Sequence, residues 1–150
     1  MILRPATADD APAMSRIHLD CREISTPFLP QLHTHEENVA WFLGHLIPEN
    51  QVCVAEQDGQ VVGYIGYREG WIQHLFVHPS LQGRGIGPSL LAKAMASGGQ
   101  MELWTFQQNT RARRFYEARG FRPMEFTDGS GNEERAPDVR YLWTPSAART

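Results

Sequence analysis

Cysteine is scarce. Cys21 and Cys53 are the only two, they lie far apart, and no Cys-x-x-Cys occurs, so a disulfide framework is excluded and a reducing compartment is the simpler expectation. No apolar run approaches the length that spans a membrane, and Met1-Ile2-Leu3-Arg4-Pro5 lacks the apolar core of a signal peptide. Together these absences lead us to expect a soluble, cytoplasmic protein with no membrane partner. Basic charge is not in excess either: the net charge is -3, which argues against a general nucleic-acid binder, whose footprint is a basic surface. Internal repeats and low-complexity stretches are missing. What is there is a globular composition over 150 residues, expected to form a single domain, 1–150, long enough to bury one core.

Against that background one stretch stands out. Gln82-Gly83-Arg84-Gly85-Ile86-Gly87 follows the apolar run Trp71 to Val77 and precedes the amphipathic run Pro88 to Ala96; strand, glycine loop, helix is the expected order. Glycines at alternate positions let the backbone turn with unusual dihedrals and leave no Cβ in the way of a ligand. The helix start behind them offers unpaired N–H groups and the positive end of its dipole, a seat for phosphate oxygens. Two common phosphate loops fit poorly. A P-loop needs Lys followed by Ser or Thr after its last glycine, where this chain has Pro88-Ser89, and a dinucleotide fingerprint counted from Gly83 needs glycine where Pro88 stands and an acidic residue near Trp104.

The rest of the chain gives an α/β order. Ile2 to Pro5 is a short strand. A helix from about Asp9 to Glu23 carries Met14, Ile17, His18 and Cys21 on one face, and after a loop from Ser25 to Leu32 a capping box, Thr34-His35-Glu36-Glu37, opens a second helix with the stripe Val39, Phe42, Leu43, Leu46 and Ile47, ended by Pro48. His33 and His35 beside Glu36 and Glu37 suggest a metal site on paper, but a helix start explains them and no metal is expected. From Gln51 the period becomes two. Asp58-Gly59 makes a tight hairpin into Val61 to Tyr67, and Glu69-Gly70 turns the chain into Trp71 to Val77, giving three adjacent antiparallel strands. A third helix buries Ile86, Leu90, Leu91, Ala94 and Met95. Met101 to Phe106 is a fifth strand, parallel to the fourth because a helix crosses between them. Asn109-Thr110 caps a fourth helix that Gly120 stops, and Phe121 to Phe126 and Val139 to Trp143 are the last strands, with Asp128 to Asp138 as a polar loop between them. Ser146 to Thr150 is read as a frayed tail.

Gln-x-x-Gly-x-Gly after a strand resembles the acetyl-CoA signature of the GNAT superfamily of N-acetyltransferases. The helix Asn109-Thr110-Arg111-Ala112-Arg113-Arg114-Phe115-Tyr116-Glu117-Ala118-Arg119-Gly120, followed by Phe121, is similar to the family's second motif. The order β-α-α-β-β-β-α-β-α-β-β is similar to the GNAT fold over nearly the whole chain. The resemblance implies a mixed, mostly antiparallel sheet of about seven strands, splayed between strands 4 and 5, with four helices.

It also implies acetyl-CoA as cosubstrate. The loop amides at Gly83, Gly85 and Gly87 would hold the pyrophosphate, bordered by Gln82 and Arg84, the latter otherwise a solvated charge. Main-chain groups of Leu75 and Val77 would pair with the pantetheine arm, and Asn109 would bond it, or serve only as a helix N-cap. A primary amine with pKa near 10.4 is neutral about once in 2,500 at pH 7, a deficit of about 4.6 kcal/mol. The departing thiolate needs a weak acid, for which Tyr116 stands by resemblance; packing in the core is the alternative. For the base, an amide at Gln73 cannot serve. His74 has a suitable ordinary pKa but equally suits a packing role, and Glu69 lies beside the same strand. Glu133, Glu134 and Asp138 would attract a cationic acceptor or remain solvated. The implied activity is direct transfer of acetyl to a primary amine, since neither cysteine lies in a motif for a covalent intermediate. The alternative is a catalytically idle acyl-CoA-binding or sensing module. Exposed strand edges at the C-terminus would permit a homodimer.

Overall fold

The computed structural model describes residues 1–145; the tail from Ser146 lies outside them. Seven strands form one sheet in the order β1-β2-β3-β4-β5-β7-β6. They are β1 (Ile2–Pro5), β2 (Gln51–Gln57), β3 (Gln60–Arg68), β4 (Trp71–Val77), β5 (Met101–Phe106), β6 (Arg122–Phe126) and β7 (Asp138–Trp143). The helices are α1 (Ala11–Ile24), α2 (His35–Trp41), α3 (Ile47–Glu49), α4 (Ile86–Met95) and α5 (Thr110–Glu117). A π-helical turn, Phe42–Leu46, joins α2 to α3. The second helix therefore runs past Pro48, which is tolerated in the opening turn of α3.

The local turn chemistry explains the meander. Asp58 and Gly59 have φ of 53° and 77°, and Glu69 and Gly70 have 50° and 82°, positive at both central positions as a type I′ hairpin requires. At Thr34 the capping box closes: Glu37 N–H donates to Thr34 Oγ1 at 3.1 Å and Thr34 N–H donates to Glu37 Oε1 at 2.8 Å.

Each face of the sheet is covered. Ile65, Ile72, Leu90, Leu91, Met101, Leu103, Tyr116 and Tyr141 build the core beneath α4 and α5. Met14, Ile17, Phe42, Leu46, Val54 and Tyr64 build the other beneath α1 and α2. β4 carries a bulge at Gln73, because Tyr67 pairs with Ile72 while Gly66 pairs with His74. Simple alternation is broken there: Ile72 packs on the α4 side and Gln73 is left exposed. Beyond the bulge His74 and Phe76 face α1 and α2, in ring contact with His18.

β4 and β5 are parallel and joined by the α4 crossover, and their register holds at one position, Trp71 with Glu102. Glu102 N–H donates to Gly70 O at 2.7 Å. Past that point the two strands part, and the sheet is splayed. All five residues of β6, at one sheet edge, are exposed. Among the described residues no helix is long and apolar enough to cross a membrane.

Candidate functional site

The parting of β4 and β5 opens a cleft of about 410 Å³, within the range of small-molecule sites. Its walls are the end of β4, the glycine loop, α5 and the last turns of α1. Leu75, Val77, Gln82, Gly83, Gly85, Gly87, Asn109 and Tyr116 all line it, so eight residues scattered from 75 to 116 converge on one cavity.

The main chain of β4 is what the split exposes. His78 N–H donates to Val62 O on β3, and antiparallel alternation then turns the amide and carbonyl of Val77 and Leu75 toward the empty β5 side. Two donors already reach Val77 O, Cys21 Sγ and Gln82 Nε2, each at 3.2 Å. Gln82 thereby fastens the loop to the strand. Gly83 and Gly85 have φ of 82° and 86°, and a Cβ on either would meet nothing within 4 Å; their conformation demands glycine, and the space beside them is open. Gly85 is the N-cap of α4, so the first amides of that helix point into the cavity mouth. Pro88 lines the cleft too and removes one amide from that set. Arg84 is exposed at the rim and does not line the cavity.

On the opposite wall Asn109 caps α5, its Oδ1 accepting from Ala112 N–H at 3.2 Å. Arg111 and Arg119 place positive charge there, and Arg119 is pinned by a 2.9 Å bond to Phe115 O and by lying 4.0 Å over the Phe115 ring. Tyr116 is 8% exposed, and burial raises its phenol well above the ordinary value of 10. Its hydroxyl has no hydrogen-bond partner among the described residues, in contrast to Tyr141, whose hydroxyl accepts from Arg113 Nε and donates to Glu117. A buried phenol with an unused O–H beside a cavity is a neutral donor waiting for an acceptor.

The structure brings the expected base candidates elsewhere. Glu69 occupies the β3–β4 turn, about 20 Å along the strand from Leu75 at roughly 3.3 Å per residue. His74 is on the α1 and α2 side, stacked between His18 and Trp41 with ring centroids 5.4 Å from each, and burial pushes its pKa down to about 3. Tyr64, fully buried, has His74 Nδ1 as its one partner at 3.0 Å. The stacked rings and this bond make neutral His74 a packing residue. His18 beside it is pushed down to about 4 by burial. Among the described residues no carboxylate side chain and no histidine lines the cleft.

The acidic loop residues are engaged rather than free. Glu134 pairs with Arg22 at 3.0 Å, Glu133 meets His33, and Asp138 bonds Thr127 and accepts from Asn132 Nδ2 at 3.2 Å. His35 meets Ser15 Oγ at 2.9 Å. Residues not singled out from sequence also contribute: Cys21, Ser25, Thr26 and Phe115 line the cleft. The only sequence signal for Cys21 was its place on the apolar face of α1. Burial pushes its thiol up to about 12, which leaves it a neutral donor to Val77 O.

The glycine cradle, the exposed β4 edge, the Asn109 amide and the unpartnered Tyr116 hydroxyl together suit an extended ligand with an anionic end and an amide-bearing arm. Comparison with known proteins agrees. The Acetyltransferase (GNAT) domain family matches residues 48–123. An uncharacterized N-acetyltransferase of Archaeoglobus fulgidus is 30% identical over 89% of this chain and 100% of its own length. The peptidyl-lysine N-acetyltransferase YiaC of Escherichia coli is 26% identical over 80% of this chain and 82% of its own. YncA of Salmonella typhimurium, solved with its cofactor acetyl-CoA, superposes with a TM-score of 0.72 at 21% identity, covering 98% of both chains. On the family match and the A. fulgidus relative, the chain belongs to the GNAT superfamily of N-acetyltransferases.

Proposed function

We propose that this protein transfers the acetyl group of acetyl-CoA to a primary amine by direct attack, both substrates being bound at once. The observation that carries the reading is Tyr116, 8% exposed, lining the cleft at the split of the sheet with a hydroxyl that has no hydrogen-bond partner among the described residues. Acetyl-CoA, when bound, supplies an activated acyl group on a thiol whose developing negative charge needs a donor as it leaves. Gly83, Gly85 and Gly87 with the amides opening α4 would hold its pyrophosphate, and Leu75 and Val77 would pair with its arm as an added strand would. Arg84 at the rim, with Arg111 and Arg119 on the cleft wall, supports anion binding at that end.

Tyr116 would orient the leaving sulfur and donate a hydrogen bond to it. Burial raises the phenol well above a thiol's ordinary pKa of about 8.5, so the O–H keeps its proton and stabilises the departing thiolate, which takes its own proton from solvent. The Cys21 thiol, held neutral and bonded to Val77 O, stays a spectator. Because neither His74 nor Glu69 reaches the cleft, the amine proton leaves through water toward the acidic residues of the β6–β7 loop, of which Glu134 is anchored nearest α1.

One observation favours a second reading, a non-catalytic acyl-CoA-binding module: the cleft lining contains no side chain able to take a proton at neutral pH. Incubation with acetyl-CoA and an amine panel, followed by free-thiol detection, separates the two. Thiol release that depends on the amine supports transfer; tight CoA binding with no release across the panel supports the module.

A further inference from the structure

Arg22 ties together three segments that are distant in sequence. Its guanidinium carbon lies 5.5 Å over the ring of Phe106 at the end of β5, and its Nη2 meets Glu134 Oε2 at 3.0 Å in the β6–β7 loop. Leu103 and Met101 of β5 pack on the α4 side, so Phe106 and Trp104 face the α1 side by strand alternation. Cys21, Ser25 and Thr26, all within four positions of Arg22, line the cleft. The Arg22–Glu134 pair does not itself line the cleft, but it lies on the α1 face of the split, next in sequence to Cys21 and within four residues of Ser25 and Thr26, which do. Its side chains are 19% and 18% exposed, whereas the neighbouring His33 and Glu133 are 50% and 59% exposed. The first pair is shielded enough to matter; the second is largely screened.

Charge matching at the shielded pair restricts what can enter. A plain ammonium that took Glu134 would strand Arg22 on the face of Phe106, and removing one partner of a shielded pair leaves an uncompensated charge. A substrate carrying both an ammonium and a carboxylate re-pairs each partner. Its carboxylate meets the guanidinium, whose planar fork can serve more than one carboxylate, and its ammonium meets Glu134. Resting on the acetyl-transfer reading above, we propose that the acceptor is a free α-amino acid, with Arg22 holding its carboxylate and Glu134 receiving its amine.

Matched acceptors test this: each amino acid, its C-terminal amide, and the amine left when the carboxylate is lost, assayed by thiol release from acetyl-CoA. We expect at least one amino acid to exceed its amide and its decarboxylated amine by about 10²-fold in kcat/KM. In Arg22→Gln that preference should collapse to within a few-fold, CoA affinity by calorimetry should be unchanged, and Arg22→Lys should restore part of the preference. Should Arg22→Gln fail to fold, Glu134→Gln serves, with the expected loss in kcat/KM for the amino acid. Amides or simple amines turned over as well as the amino acids by the wild type would overturn the proposal, as would a preference that survives in Arg22→Gln. If no acceptor releases thiol, the transfer reading fails on its own. Calorimetry of amino acids into the CoA-loaded protein then decides: heat that is lost in Arg22→Gln supports the site, and no heat with the wild type overturns it.

Discussion

Replacing Tyr116 by Phe removes one hydroxyl that makes no hydrogen bond among the described residues, while the ring keeps its packing against Phe115, Phe121 and Tyr141 at centroid distances of 5.1, 5.4 and 6.3 Å. No folded-state bond is lost, so stability should change by less than about 0.5 kcal/mol, or under about 2 °C in Tm for a domain of this size. Turnover should fall by at least about 10²-fold, the lower end for a positioned hydrogen-bond donor to developing charge, which is about 2.7 kcal/mol of barrier. Tyr141→Phe is the control with the opposite signature. Its hydroxyl accepts from Arg113 at 3.0 Å and donates to Glu117 at 2.5 Å, so its loss should cost about 1–3 kcal/mol and leave turnover within about twofold of wild type by the same logic of a role outside the cleft. Because burial raises the Tyr116 phenol above 10, it stays protonated through alkaline conditions. The wild-type rate should climb from pH 7 to 9 as the amine loses its proton, without a falling limb from Tyr116. Thermal melts, CoA calorimetry and a thiol-release assay on the three proteins make the comparison. Turnover of Tyr116→Phe within threefold of wild type, or a destabilisation equal to that of Tyr141→Phe, would refute the reasoning.

Three further outcomes follow from the packing. His18 and His74 are held neutral, with folded pKa values of about 4 and about 3 against an ordinary 6.5. The unfolded chain binds the extra protons, so stability is full above pH 6.5 and is lost below it, by about 2 kcal/mol per histidine at pH 5; denaturant midpoints that do not fall between pH 7 and 5 would contradict this. Gly129 has φ of 86°, and a Cβ there would lie 2.4 Å from the Ala136 carbonyl carbon. Gly129→Ala should therefore force the β6–β7 loop open, lowering Tm and increasing amide exchange across 128–138 while leaving CoA affinity intact; an unchanged exchange pattern would count against the closed loop. Gly63→Ala would press its methyl to 3.1–3.2 Å from Phe76 O, Ile86 and Leu90 and should cost about 1–3 kcal/mol. Gly44→Ala meets nothing within 4 Å in a helical segment and should gain about 0.5–1 kcal/mol, so equal denaturant midpoints for the two variants would show the distinction to be empty.

Much of the fold was legible because it rests on near-neighbour chemistry. Gly59 and Gly70 accept positive φ readily and, with Asp58 and Glu69 before them, made hairpins, Thr34 and Glu37 cap each other three residues apart, and Asn109 caps α5. The glycine loop was legible for the same reason, since Gly83 and Gly85 adopt conformations that side chains resist. Glu69 shows the limit: proximity in sequence to β4 said nothing of which end of the strand faces the cleft.

Local residue types thus determined by themselves the order of elements, the two signature motifs and the positions where the backbone must turn, because dihedral preference and periodicity act over a few residues. Only the tertiary structure decided that β7 inserts between β5 and β6, that Gln73 bulges, that His74 is walled in by His18 and Trp41, and that Arg22 meets Glu134. Those outcomes depend on packing between segments up to more than a hundred residues apart, where burial and charge pairing choose among arrangements that local preferences leave equal in energy.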